Sequence, residues 1–340
     1  MRAHRFGSVA RRQQAAFRMT LSPSARAPTD DKGMRHEHLL ALGHEDENLY
    51  PTLRGRAGAK LFFAQRGIHW WNNIRSGDRK RAKNDQGPTR NAASSQVCCV
   101  NFLLPLAHDA EALTEFLRSI DSDVVAVEPI RHGGNESLVE FEWVGWDRPL
   151  EGGRPSRGAY QTSIDALMVA RTTTGRRAYL LEWKYCEEYL RPDDKGAGSS
   201  GETRRSRYQN LYTDPASAFN LTLPFDEWLY EPFYQIMRTL LLSDRMLSQG
   251  VTEGSPVDDA RMVVICPDAN VDYLRLVPST PFGDRFNGVG TLEEVVKTGL
   301  KDPSRFSIMG QERIVETLRS RLSGTDFRDW ADYHRLRYDW

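Results

Sequence analysis

The chain of 340 residues has only four cysteines, no long apolar run and no net charge. Cys98 and Cys99 are adjacent while Cys186 and Cys266 stand alone, a pattern that builds neither a zinc ladder nor a disulfide framework. A reducing, cytoplasmic compartment is therefore expected. Apolar runs such as Met262–Cys266 and Leu240–Leu242 fall far short of the roughly 18 residues of a membrane span, so no membrane span is expected. The 46 basic residues cancel the 46 acidic ones, which excludes a globally basic, histone-like profile and leaves polyanion binding to local patches. Gly152-Gly153 lacks a Walker lysine and the Gly58 region has no G-x-G-x-x-G, so no nucleotide loop is evident. Ser94 lies in no G-x-S-x-G elbow. His36, His38 and His44 lack the spacing of a zinc-protease helix and read as solvated histidines.

With 39% hydrophobic residues the chain can bury one large core with insertions, or two smaller ones. Met1 to Thr29 carries six arginines and no acid, with little periodicity. A solvated tail or a misplaced start explains that composition better than an organellar transit peptide. Residues 1–45 are accordingly expected to form a disordered basic tail, and 46–340 a single elaborated domain. Within Ser76 to Arg90, Arg79, Lys80, Arg81 and Lys83 read either as a solvated loop or as phosphate contacts. Ser94 and Ser95 cap a predicted helix bearing Val97, Val100, Leu103 and Leu104, and Asp109 to Ile120 predicts another. Strands are predicted from Phe141 and over Met262–Cys266. A helix is predicted over Glu231 to Leu247 with Pro232 in its first turn, and Arg191 to Arg207 reads as a polar segment.

The clearest unit is a hairpin from Ser163 to Tyr185, two apolar runs flanking Thr172-Thr173-Thr174-Gly175. An even loop, for example Thr173-Thr174, sets Asp165 opposite Glu182 on one face, where Lys184 joins them two residues on. An odd loop disperses the three. On the first reading two carboxylates and a lysine gather on an apolar strand, an arrangement that a divalent cation with hard oxygen ligands would neutralise. The alternative is a plain Glu182–Lys184 surface pair. Trp183 and Tyr185 fall on the opposite face and read as core.

An acid, a gap and then Glu182-Trp183-Lys184 on a hairpin resembles the PD-(D/E)xK nuclease superfamily, with Ile164 where its proline commonly stands. The likeness extends to a group of uncharacterised bacterial nuclease-like proteins through Ser94-Ser95-Gln96 with Asn101, Phe141-Glu142, Ser163-Ile164-Asp165, Glu187 and Tyr234-Gln235-Ile236-Met237-Arg238. It spans Leu61 to Leu247, with an echo at Arg337-Tyr338. The resemblance implies an α/β restriction-endonuclease-like core, a mixed sheet flanked by helices with N-terminal and C-terminal helical elaborations. It implies Glu142, Asp165, Glu182 and Lys184 as the catalytic set, with Mg²⁺, or Mn²⁺, bound by Asp165 and Glu182 and helped by Glu142 through metal or water. Gln96, Glu187, Gln235 and Arg238 become accessory candidates, although Gln235 with Arg238 can equally be a helix-surface pair. The activity implied is metal-dependent hydrolysis of phosphodiester bonds in nucleic acid, with DNA favoured. The rival is an inert nucleic-acid-binding protein that keeps the fold.

Overall fold

The computed structural model describes residues 5–26, 30–31, 34–68, 70, 87–132, 135–144, 150–151, 162–251, 255–275 and 280–338. Arg79, Lys80, Arg81 and Lys83 lie outside the described residues. A mixed sheet contains six strands: β1 (Val124–Glu128), β2 (Glu140–Trp143), β3 (Ile164–Thr172), β4 (Arg176–Trp183), β5 (Asp259–Ile265) and β6 (Phe306–Met309). β4–β5 and β5–β6 are parallel, whereas β3 pairs antiparallel with β4 and with two shorter strands along its other edge. There β2 takes Ile164 to Leu167 and β1 takes Val169 to Thr172.

The hairpin has the even loop. Arg171 pairs with Arg176, and the Thr172 N–H donates to the Gly175 carbonyl at 2.7 Å, leaving Thr173-Thr174 at the tip. Gly175 holds φ 147°, a conformation that side chains rarely adopt and glycine tolerates. Because strand side chains alternate, Ala166, Met168, Tyr179, Leu181 and Trp183 form one face of the sheet and Leu167, Val169, Ala178 and Leu180 the other. The two rows bury into separate cores. Trp183 and Tyr185 are fully buried core residues, as expected.

The described helices include α1 (Phe6–Arg18), α2 (Ala59–Gln65), α3 (Ser95–Leu103), α4 (Ala110–Ile120), α5 (Gly198–Tyr212), α6 (Phe233–Gln249), α7 (Leu292–Thr298), α8 (Gln311–Arg321) and α9 (Thr325–Tyr338). α3, α4, α8 and α9 pack on the Trp183 face, and α6 on the Leu180 face, joined by α5 and α7 over β5. Of the two serines expected to cap α3, Ser94 does so, its Oγ accepting the Val97 N–H; Asp109, expected inside the next helix, instead caps α4, a carboxylate oxygen accepting the Ala112 N–H. The architecture is the α/β one expected, a mixed sheet flanked by helices.

Three expectations need correction. Residues 5–26 are not a disordered tail: in α1, Gly7, Ala10, Gln14 and Phe17 are buried at helical spacing. Gln14 is fully buried and donates to the Tyr185 hydroxyl and to the Arg337 carbonyl, both at 2.8 Å, while the Arg337 guanidinium lies 4.5 Å above the Phe17 ring. Dense arginines hid a narrow buried stripe, whose Gln14 has partners some 170 to 320 positions away. The polar segment beyond Arg191 is likewise helical from Gly198, because Tyr208 and Tyr212 anchor an otherwise solvated helix. The three histidines also differ from expectation. His36, His38 and His44 are half-buried, and burial together with Arg11, His36 and Arg18 lowers His38 to a pKa of about 4.

Candidate active site

At the end of the hairpin away from the Thr173-Thr174 tip, β3 and β4 diverge. The last paired residues are Ala166 and Leu181, and the next positions in register are Asp165 and Glu182. On the other side of β3, Glu142 lies between Phe141, paired with Ala166, and Trp143, paired with Ile164, so it too falls beside Asp165. Glu142, Asp165 and Glu182 therefore form a row across three adjacent strands. Glu142 has φ 48°, a left-handed conformation that costs a non-glycine residue about 1 kcal/mol or more and concentrates at functional sites.

Each acid is held by a different partner. The Asp165 carboxylate accepts the Trp183 N–H at 2.6 Å, and the Gln96 amide of α3 donates to Glu142 Oε1 at 2.7 Å. Glu182 Oε1 accepts from Lys184 Nζ at 2.7 Å and from Gln235 Nε2 at 2.6 Å. Lys184 Nζ also donates to Gln235 Oε1 at 2.9 Å, which closes a triangle between β4 and α6. The pair is no surface salt bridge, since Glu182 is 4% and Lys184 6% exposed. Gln311, the first residue of α8, donates to the Lys184 carbonyl at 2.9 Å, and the Lys184 N–H donates to Ile265, so its backbone is fixed as well.

The electrostatics follow from this packing. Burial, then repulsion from Glu182 and Glu142, pushes the Asp165 carboxyl well above its usual range against the opposing pull of Lys184 and the Trp183 N–H. For Lys184 burial alone would favour the neutral amine, but the Glu182 carboxylate outweighs it and the ammonium is held well above its ordinary pKa.

These residues line a cavity of about 580 Å³, together with Ser94 and Ser95 at the start of α3, and Arg11, Glu187, Glu188 and Tyr189. Glu187 accepts the Ser95 hydroxyl and the Tyr185 N–H, the latter at 2.8 Å. Of the accessory candidates, Gln96, Glu187 and Gln235 thus stand in the site. Arg238 does not line the cavity: it pairs with buried Glu151 at 3.3 Å and lies against the Tyr208 and Tyr234 rings. Sequence reasoning missed Arg11, which the fold brings to the cavity wall, and Gln311, which lies outside the lining and holds the Lys184 carbonyl; neither falls near a motif.

The donor set is one of hard oxygens, matched to Mg²⁺ or Mn²⁺ and unsuited to a soft metal. Among the described residues, however, no three acidic, histidine or cysteine groups converge as a ready-made ion cage. The carboxylates of Glu142, Asp165 and Glu182 are turned to Gln96, Trp183 and Lys184 instead. In donor type the residues fit a hard cation; to share one, these side chains must reorient.

A mixed sheet carrying an acid on one hairpin strand and Glu182-x-Lys184 on the next is a restriction-endonuclease-like core of the PD-(D/E)xK type. The model of the family described as Restriction Endonuclease associating with ARP matches residues 54–339, and the chain belongs to that family. No curated protein and no solved structure matches the chain. Among the described residues no helix is long and apolar enough to cross a membrane.

Proposed function

We propose that the protein is a Mg²⁺-dependent nuclease that hydrolyses phosphodiester bonds in nucleic acid, with DNA as the favoured substrate. The observation that carries this reading is the buried triangle of Lys184, Glu182 and Gln235 beside Asp165 and Glu142 at the wall of one cavity. Glu142, Asp165 and Glu182 would hold the cation through their carboxylates, with Mn²⁺ able to substitute. The chemistry the cation supplies when bound is Lewis-acid charge that activates water and stabilises the leaving oxygen. Lys184, held protonated by Glu182, acts as a charge and hydrogen-bond donor rather than as a general base. It orients the attacking water and offsets charge that develops on the phosphate oxygens. Gln235 fixes the lysine's direction, and Gln96 orients the Glu142 carboxylate.

The engaged carboxylates favour a second reading, a nucleic-acid-binding protein without turnover. A cleavage panel of supercoiled, linear, single-stranded and RNA substrates, each with Mg²⁺ and with EDTA, separates the two. Cleavage that needs Mg²⁺ supports the nuclease. Binding with no cleavage of any substrate leaves the second reading standing and removes the first.

A further inference from the structure

We propose that Arg11 of α1 contacts a phosphodiester oxygen of the bound nucleic acid, next to the phosphate at the Asp165–Glu182–Lys184 site. This rests on the nuclease reading above. The cavity wall carries five carboxylates, Glu142, Asp165, Glu182, Glu187 and Glu188, against two cations, Arg11 and Lys184. Lys184 is already paired with Glu182. A phosphodiester entering this cavity meets net negative charge, so a free cation has to compensate for it besides any bound metal. Arg11 is exposed, lines the cavity and makes no ion pair among the described residues. Its planar fork of donors matches two phosphate oxygens at once.

The helix that carries Arg11 is fixed against the site. The Phe6 N–H donates to Asp272 at 2.7 Å, and Gln14 is clamped between Tyr185 and Arg337. Gly7 packs so closely on the strand exit after β4 that a Cβ there would stand 3.0 Å from the Cys186 carbonyl oxygen. The residues α1 touches, Tyr185 and Cys186, directly follow Lys184. Arg11 is therefore presented at a set distance from the lysine by a helix lying ahead of the family-matched span.

The test compares wild type, Arg11→Ala, Arg11→Lys and Arg12→Ala, Arg12 being an exposed neighbour outside the cavity lining. Fluorescence anisotropy with a duplex in Ca²⁺, as a function of salt, is run beside Mg²⁺-dependent cleavage and thermal melts. Arg11→Ala should weaken binding about tenfold, as removing one charge-assisted hydrogen bond does, and reduce the salt slope by roughly 0.9. It should leave the melting temperature unchanged; Arg11→Lys should restore the slope, and Arg12→Ala should do far less. If wild type binds and cleaves while Arg11→Ala matches it, or matches Arg12→Ala, the Arg11 contact is wrong and the nuclease reading survives. If wild type neither binds nor cleaves, the nuclease reading fails and the inference falls with it.

Discussion

The Asp165 carboxylate accepts the backbone N–H of Trp183 at 2.6 Å, taking the place of a main-chain acceptor where β3 and β4 part. One acid thus ends the hairpin ladder and stands next to Glu182 in the register. The strand divergence that opens the cavity and the clustering of charge at it have the same structural origin.

From this position Asp165 should oppose folding at neutral pH. Its folded pKa lies above the ordinary 3.8, so the native state binds its proton more tightly than the unfolded chain. Stability therefore falls as pH rises from about 3.8 through the raised value. Asp165→Asn keeps the shape and an acceptor for Trp183, and in EDTA it should melt at or above wild type. At a hundredfold excess over Kd, Mg²⁺ should raise the wild-type Tm by on the order of 5 °C, and the variant's by much less. Equal responses in thermal melts would remove Asp165 from the metal ligands.

Gln235 touches both Glu182 and Lys184 and should act as a positioning residue. Gln235→Ala is expected to lower kcat by about tenfold or more, the effect of removing a partner that orients an active group, with KM little changed. Gln235→Glu, which keeps the length but replaces the donor to Glu182 Oε1 by a second carboxylate, should not restore the loss. Steady-state kinetics that put the loss in KM instead would assign Gln235 to substrate binding.

His334 sets an acid limit. Burial lowers its pKa to about 3, and Phe102 and Trp330 pack against the ring. The unfolded chain takes up a proton near 6.5 that the folded one refuses. Stability is thus complete above pH 6.5 and declines as pH falls towards 3. From pH 7 to pH 4 wild type should lose the His334 contribution and His334→Gln, whose amide does not titrate, should not, so the difference between their denaturant midpoints should shift against wild type as pH falls. Parallel profiles would show that other groups govern the acid limb.

Replacing Arg79, Lys80, Arg81 and Lys83 together with Ser should weaken binding to all duplex sequences alike. The salt slope should drop by roughly 0.9 for each phosphate no longer neutralised. An unchanged slope in salt-dependent gel shifts would return the four to the class of solvated residues.

The site was legible where chemistry and local periodicity coincide. The hairpin itself was readable from its alternating apolar residues; the even loop at Thr173-Thr174 was one of two readings, and it is the one that sets Asp165 beside Glu182 and buries Trp183. The cap at Ser94 was readable for the same local reason. Contacts between residues distant in sequence were not. Arg238 shares a helix with Gln235, yet Glu151, far ahead of α6, draws it out of the cavity. Nothing near Gln14 announces that Tyr185 and Arg337 will bury it, so α1 and its Arg11 read as a solvated tail.

Nicking of supercoiled plasmid by wild type and Lys184→Ala, with gel shifts on the same preparations, separates catalysis at the hairpin from binding. On the proposed function Lys184 would act on the transition state, whereas most binding free energy would come from phosphate contacts elsewhere. Wild type should nick with Mg²⁺ and not with EDTA, and Lys184→Ala should lose cleavage while keeping its affinity within a few fold. Retained cleavage in Lys184→Ala, or wild-type cleavage that persists in EDTA, would contradict the account.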